Sequence, residues 1–358
     1  FTIINPKLFT NHFGYYDHQR CHGFYPPFLF DNGDLVDIPG NTRLDCGKGP
    51  RPHGPAVEHA AERRDKTGKT VYSQDIFNDR IIQFLRDHAD RPFFLFHPSQ
   101  LPHGPIAVPE IHPGVRHVQG LTDYEKEYAS MVLRLDDTVG LILDELDRRG
   151  LADKTMVLFC SDNGHEVYAR DEGRTSSSNE DVAGRRYDNI TSRFTSESSC
   201  DIFDGNDGMS GAKRTSWEGG TRIPFIVRWP GHTPPGTTSD QPIAAYDLMA
   251  TFAELFDVET PANRDGVSFL RILQGLDPEP RNTPIIYASN LGPALVTPDG
   301  WKLRRINDHD MFQLYHLPDD YREENDLSSD CPDVVQRLAE ELYTACDGDF
   351  IHGTPQNH

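Results

Sequence analysis

The stretch Thr155–Glu166, with the sequence TMVLFCSDNGHE, passes from a mostly apolar run directly into polar residues. The apolar part, 155–160, predicts a buried β-strand. Asp162 and Asn163 follow its end, and a carboxylate and an amide oxygen are hard donors that suit Ca²⁺ or Mg²⁺. Taken alone, Asn163-Gly164 is more typical of a turn, because this dipeptide tolerates positive φ. Two oxygen donors do not make a metal site, so the local sequence leaves both interpretations open.

Helical patterns precede this strand and an earlier one. Apolar residues recur at threes and fours over 124–146, where Thr122 can cap the start and Gly150 follows the end. A second amphipathic pattern covers 72–88 and leads into the apolar run 92–97. Two helix–strand units with near-continuous apolar strands predict an α/β fold, in which helices flank a central sheet. Ligands of such folds bind at the carboxyl ends of the strands.

The rest of the chain divides by composition. Residues 1–70 predict packed loops with short strands, and the polar segment 166–208 predicts a long loop insertion. Helices are expected at 248–255 and 269–273. Short strand patterns and a helix at 334–346 predict a smaller C-terminal α+β subdomain with an antiparallel sheet. We therefore expect a main α/β domain over 1–275 and a subdomain over 276–358.

Overall composition excludes several classes of function. The chain has 358 residues and a formal net charge of −21, which would repel a nucleic-acid backbone, so no nucleic-acid partner is expected. No run approaches the roughly 18–20 consecutive apolar residues of a membrane span, so no membrane partner is expected. The six cysteines form no C-x-x-C pair and leave the redox compartment open.

Two further residues are candidates for chemistry. His103 lies between prolines in LPHGP after the apolar run 92–97, and an imidazole there could act as an acid or bind an anion. Lys213, in SGAKRTSWEGG, could neutralise an anionic leaving group beside a metal. An isolated loop histidine is more often a surface residue, and a lysine near glycines is more often a solvated charge. Each signal is weak by itself.

The N-terminal segment is rich in aromatic residues and histidine, which suits either sugar stacking or ordinary packing. His18 and His22 have i, i+4 spacing there. The segment shows no helical pattern and no supporting carboxylate, so the sequence does not predict a zinc site at these two residues.

The order of these blocks resembles the type I sulfatases of the alkaline-phosphatase-like superfamily. The resemblance rests on SDNG at 161–164 and on KRTSWEGGTRIPF at 213–225. It extends to YDLMATFAEL, DGVSFL, DGWKL and LYHLPDDYREENDL, and backward to GYYDHQRCHGFYPPFLFDNG. It implies an alkaline-phosphatase-like central mixed sheet flanked by helices, with the C-terminal antiparallel sheet as a subdomain.

The resemblance also implies roles for individual residues. Asp162 and Asn163 would bind Ca²⁺, with Mg²⁺ as the alternative ion. Lys213 and His103 would contact the sulfate of a sulfated carbohydrate and help the leaving oxygen depart. His165 could line the same pocket, and a structural role for it is about equally expected. Family members commonly work in periplasmic, extracellular or lysosomal compartments, which is the localisation we expect.

The chain departs from the family pattern in two places. No Cys or Ser has proline two positions later, so the C/S-x-P-x-R motif that yields the formylglycine nucleophile is absent from the 358 residues. The family's early Asp-Asp metal pair is absent too. We expect both in an N-terminal segment outside this chain or on a second polypeptide, and we expect the isolated chain to be inactive by the formylglycine route. Two alternatives remain open: a phosphate or phosphonate ester hydrolase, and a non-catalytic protein that binds sulfated glycans.

Overall fold

A computed structural model describes residues 9–18, 20–42, 65–166, 193–199, 201–260, 264–289 and 291–351. These residues form two compact units, one up to Ala152 and one from Asp153 onward. The predicted boundary between residues 275 and 276 falls inside the second unit and stays a prediction. Most of the predicted loop insertion at 166–208 lies outside the described residues.

The first unit combines a small antiparallel sheet with helices. Its strands are β1 (Phe13–Gly14), β2 (Phe28–Asp31) and β3 (Asp34–Asp37), in the order β1-β2-β3. Its helices are α1 (Ser73–Asp87), α2 (Pro113–Arg116) and α3 (Asp123–Arg148). This agrees with the loops and short strands expected near the start and with both predicted helices.

Helix α3 begins where the sequence predicts. The Thr122 side chain accepts from the backbone N–H of Glu125, and the Glu125 side chain accepts from that of Thr122 at 2.7 Å. This capping box satisfies two N–H groups that would otherwise lack partners. The buried face of α3 then packs on the core of the unit, which contains Phe24, Tyr25, Tyr72, Leu101, Ile106, Val108, Tyr124 and Met131.

The predicted buried strand at 92–97 is wrong. This segment is extended but forms no β-ladder with any residue that the structure describes, and Phe94 and Phe96 are 66% and 59% exposed. Apolar character alone does not make a strand, because the backbone groups also need a neighbouring strand to pair with.

The second unit begins with the strand that follows α3. Strand β4 (Val157–Cys160) pairs antiparallel with β5 (Phe225–Arg228), so that Cys160 lies opposite Phe225. The expectation that this strand is covered on both faces is wrong for the described residues, since Cys160 is exposed and Ile226 of β5 is 61% exposed. Short helix α4 (Glu218–Thr221) precedes β5, and α5 (Asp247–Leu255) and α6 (Leu270–Leu273) follow it near their predicted positions.

The predicted C-terminal antiparallel sheet with one helix is confirmed. The strands β6 (Ile285–Ser289), β7 (Gly292–Val296), β8 (Trp301–Ile306) and β9 (Met311–His316) follow one another in sheet order. Helix α7 (Pro332–Ala345) packs on this sheet, and their shared core contains Leu295, Leu303, Leu314, Leu338 and Leu342. None of the helices in the described ranges is long and apolar enough to cross a lipid bilayer.

Candidate active site

The opening stretch ends in a turn at the end of β4. Asp162 is exposed and Asn163 is partly buried, and the Ser161 hydroxyl donates to the Asn163 carbonyl at 2.8 Å. Both oxygen-donor side chains therefore lie at the carboxyl end of a strand, as the sequence predicts.

Gly164 lets this turn contact the Trp217–Gly220 segment. Its N–H donates to the Gly220 carbonyl at 2.9 Å, and a Cβ added to Gly164 would lie 1.9 Å from the carbonyl oxygen of Gly219. Gly219 is equally constrained, since its own Cβ would lie 2.5 Å from the carbonyl oxygen of Gly211. The glycines of the SDNG and WEGG blocks are thus explained by close backbone approach.

Lys213 is attached to the same turn. Its backbone N–H donates to the carbonyl of His165 at 2.8 Å, and its side chain is partly buried. The structure therefore brings together four of the five predicted site residues, namely Asp162, Asn163, His165 and Lys213, which lie up to 51 positions apart in the sequence.

His165 has a carboxylate partner that the sequence did not reveal. Its Nε2 lies 2.7 Å from Oδ2 of Asp201, and both side chains are largely buried, at 11% and 8% exposure. Burial raises the pKa of Asp201, but the hydrogen bond and charge of His165, together with backbone hydrogen bonds from Phe203 and Gly205, lower it further, so the net pKa is lowered. The backbone of Gly205 lies against the imidazole, where a Cβ would come within 2.6 Å of Cγ. Nothing in the string SSCDIFDG singles out Asp201, because a partner 36 residues away is set by the fold.

The Trp217–Gly220 segment is anchored to the C-terminal sheet by buried charges. Lys302 Nζ of β8 lies 2.8 Å from Oε1 of Glu218 and 2.8 Å from Oε1 of Glu323. The N–H of Glu218 also donates to Oε2 of Glu323 at 2.6 Å. Arg304 of β8 stacks on Trp217, with Cζ 3.6 Å from the ring centroid. The segment that packs against Gly164 is thereby fixed to a rigid sheet.

These charges determine the ionisation of the cluster formed by Glu218, Lys302 and Glu323. Burial raises the pKa of Glu218, but the charges and hydrogen bonds of Lys302 and Arg222 together lower it further, so the net pKa is lowered. Burial lowers the pKa of Lys302, and the two carboxylates reverse this and raise it. The pKa of Glu323 is raised, chiefly by burial.

His103 belongs to the first unit. Its N–H donates to the Gln100 carbonyl at 2.8 Å, its Nδ1 lies 2.5 Å from the Gly104 carbonyl oxygen, and its ring meets that of His22 edge-on with centroids 4.8 Å apart. The loop that carries it contains cis peptide bonds at Leu101–Pro102 and Gly104–Pro105. His103 is therefore held in a defined conformation within its own unit.

The donors at the end of β4 fit only part of a calcium site. Calcium takes about six to eight oxygen ligands, whereas Asp162 and Asn163 supply two. Across the described ranges, the one group of three or more clustered His, Cys, Asp or Glu ligand atoms is elsewhere, at His18, Cys21 and His22. Among the described residues, no such group of three side chains lies at the turn after β4.

Comparison with known proteins places these blocks in a family. The family model named Sulfatase matches residues 13–258, and that of the N-sulphoglucosamine sulphohydrolase C-terminal region matches residues 208–347. The chain is 30% identical to an N-acetylgalactosamine-6-O-sulfatase of Bacteroides thetaiotaomicron, over 75% of this chain and 50% of that protein. It is 28% identical to arylsulfatase A of Bos taurus, over 59% of this chain and 35% of that protein. The chain thus spans half or less of the length of these relatives.

Solved structures agree at the level of the fold. A structure from a study of glycosaminoglycan metabolism by Bacteroides thetaiotaomicron matches with a TM-score of 0.65 and 24% identity, over 89% of this chain and 69% of that one. The structure of Ps i-CgsB in complex with k-i-k-neocarrahexaose matches with a TM-score of 0.57 and 22% identity, over 81% and 59%. The alkaline-phosphatase-like fold is confirmed, and the chain belongs to the type I sulfatase family.

Proposed function

We propose that the protein to which this chain belongs hydrolyses a sulfate ester of a carbohydrate. The observation that carries the proposal is the hydrogen bond from the N–H of Lys213 to the carbonyl of His165, three residues after Asp162. It attaches a cationic residue to a turn with two oxygen donors. A sulfate ester is anionic, and its bridging oxygen gains charge as the S–O bond breaks, so a fixed cation stabilises the transition state.

Each residue at this turn has a distinct part in the proposal. Lys213 would bind the sulfate by charge, and Asp201 would orient the His165 ring along one wall of the pocket. Asp162 and Asn163 would hold part of a Ca²⁺ site, and the bound ion would supply further positive charge beside the sulfate. For His103, the role of helping the alcohol depart rests on the family resemblance.

The nucleophile would come from outside this chain. None of the 358 residues lies in a C/S-x-P-x-R motif, so a formylglycine would have to be carried by another segment or by a second polypeptide. The isolated chain is therefore proposed to bind substrate without turnover.

For the substrate we propose a 6-O-sulfated N-acetylgalactosamine residue. The relative that is 30% identical over 75% of this chain is named for that activity. The sulfate group of such a sugar carries the negative charge to which Lys213 would bind.

Two measurements test the proposal. The complete protein, matured by a formylglycine-generating system, is expected to release sulfate from N-acetylgalactosamine 6-sulfate faster than phosphate from the matched 6-phosphate. The isolated chain is expected to bind the sulfated sugar in calorimetry and to release no sulfate. Preferential phosphate release would instead identify a phosphate ester hydrolase. Saturable binding without any release by the complete protein would identify a non-catalytic sulfated-glycan binder.

A further inference from the structure

A short turn in the first unit gathers three metal-binding side chains. The N–H of Arg20 donates to Oδ1 of Asp17 at 2.8 Å, and the residues Arg20–His22 form one turn of 3₁₀-helix. This turn brings one ligand atom from each of His18, Cys21 and His22 within 4.8 Å of the other two. The sequence shows no helical pattern here, because a turn of three residues is too short for periodicity.

The turn is held in place by groups other than the three side chains. Gln100 donates from Nε2 to the carbonyls of Cys21 and Gly23, the latter at 2.9 Å, and accepts from the Ser73 hydroxyl at 2.7 Å. The Tyr15 hydroxyl also donates to the Gly23 carbonyl, at 2.7 Å. Because the backbone is fixed in this way, the ligand atoms stay close together without an ion, which lowers the entropy cost of binding one.

The side chains of Cys21 and His22 share one hydrogen-bond acceptor. The Cys21 thiol donates to the His18 carbonyl at 2.9 Å, and Nδ1 of His22 donates to the same oxygen at 2.6 Å. Cys21 Sγ and His22 Nδ1 are 4.0 Å apart. A carbonyl acceptor on one ring nitrogen sets the tautomer of an imidazole and raises the basicity of the other nitrogen, as in many protein metal sites.

The donor set and its spacing suit a borderline-soft cation. Zinc lies about 2.3 Å from sulfur and about 2.0–2.1 Å from nitrogen, so tetrahedral ligand atoms are about 3.3–3.8 Å apart. The three ligand atoms lie within 4.8 Å of one another, so the widest separation exceeds this range by no more than about 1–1.5 Å. His22 is 4% exposed, whereas His18 is exposed and can rotate to close the gap. Nitrogen and sulfur donors favour zinc over calcium, which prefers oxygen.

We propose that His18, Cys21 and His22 form a binding site for a transition-metal dication such as Zn²⁺. Cys21 binds as the thiolate, so its proton passes to solvent and its hydrogen bond to the His18 carbonyl is lost, while both histidines bind as neutral imidazoles. Water occupies the fourth position on the exposed side, next to His18. Its ligands differ from the residues expected to bind calcium, Asp162 and Asn163, and the proposal does not rest on the proposed sulfatase activity.

The site adjoins His103. The rings of His22 and His103 meet edge-on at 4.8 Å, so an ion on His22 changes the electrostatic environment of His103. Metal binding is therefore expected to shift the NMR resonances of the His103 ring, and His103 lies outside the proposed ligand set.

Cobalt(II) titration of the full chain tests the proposal. Co²⁺ replaces Zn²⁺ in such sites and gives a near-ultraviolet sulfur-to-cobalt charge-transfer band when a thiolate binds it. We expect this band to saturate at one ion per chain, to disappear when Zn²⁺ is added, and to be absent in Cys21→Ser. His18→Ala, at an exposed position, should lower the affinity for Co²⁺ by about 10- to 100-fold or more. A loss of this size is typical when a residue that only hydrogen-bonds to a metal ligand is removed.

Cys331→Ser is the matched control, because it removes a thiol in the second unit and should leave the band unchanged. Circular dichroism should show that all three variants are folded. The proposal is overturned if the wild-type chain gives no thiolate–cobalt band, or if the band survives in Cys21→Ser. It is equally overturned if His18→Ala binds Co²⁺ as tightly as the wild type.

Discussion

Lys302 Nζ lies 2.8 Å from Oε1 of Glu218, and neither side chain is appreciably exposed to solvent. This ion pair joins β8 of the C-terminal sheet to the first residue of α4, 84 positions earlier in the chain. Because α4 contains the two glycines that pack against the Asp162–Gly164 turn, the C-terminal sheet supports the candidate site.

Replacing Lys302 with methionine is expected to destabilise the second unit. The change leaves Glu218 and Glu323 buried without their shared cation. Removing one partner of a buried ion pair typically costs about 3–5 kcal/mol. Urea unfolding measures the loss, and Lys154→Met, at an exposed position of the same unit, should change the free energy of unfolding by less than about 0.5 kcal/mol. Equal stability of the two variants would contradict the anchoring role of Lys302.

The same cluster predicts a pH dependence. The folded-state pKa of Glu218 lies below its ordinary value of 4.5, so its contribution to stability is fully present above that value. It is lost as pH falls through the lower folded pKa, because protonation then breaks the ion pair. The free-energy difference between wild type and Glu218→Gln should therefore be largest at neutral pH and shrink as the pH falls below 4.5. The exposed Glu259→Gln should show no such trend, and a difference that grows in acid would refute the assignment.

Gly164→Ala tests the contact between the two glycine-containing blocks. A Cβ there would lie 1.9 Å from the carbonyl oxygen of Gly219, and backbone cannot move aside as a flexible side chain can. We expect a loss of about 3 kcal/mol or more, at the upper end for overpacking, in thermal or urea unfolding. Gly140→Ala, at an exposed position of α3 with open space around it, should instead stabilise by about 0.5–1 kcal/mol. If both variants were stabilised, the close approach would be wrong.

Lys213→Ala tests sulfate binding. Loss of a charge-assisted hydrogen bond costs about 1.5–3 kcal/mol, which corresponds to a roughly 10- to 150-fold weaker affinity for N-acetylgalactosamine 6-sulfate. The loss should be smaller for the unsulfated sugar. Calorimetry at fixed ionic strength provides the measurement, and Lys154→Ala serves as the exposed-lysine control. An unchanged affinity in Lys213→Ala would remove Lys213 from the proposed site.

Local patterns predicted most of the elements of the fold. The period of apolar residues and the Thr122–Glu125 capping box determine α3, since both act within a few residues. The run 92–97 has the same apolar character as a strand, yet it forms no ladder in the described structure, because pairing depends on a neighbour that its own sequence does not specify. The apolar pattern likewise did not reveal that Ile226 of β5 is exposed.

The candidate site was predictable only in part. Asp162, Asn163, His103 and Lys213 stood out through the order of family blocks, and each was a weak signal alone. Asp201 and Glu323 were not predicted. The chain contains many carboxylates, and the sequence around one of them does not indicate which residue it will pair with in the fold. The sequence did not predict a zinc site at His18 and His22, because the segment shows no helical pattern and no supporting carboxylate, and the structure adds Cys21 as a third clustered donor.

By itself, the sequence determined the longer helices, the family and the glycines of SDNG and WEGG, because these depend on local propensity and on motif order. Only the tertiary structure decided why those glycines are required, since it brings the carbonyl of Gly219 against Gly164. The tertiary structure also decided the pairing of charged residues, such as Lys302 with Glu218 and His165 with Asp201. The physical reason is that burial makes an unpaired charge costly, so the fold must supply each partner from wherever in the chain it lies.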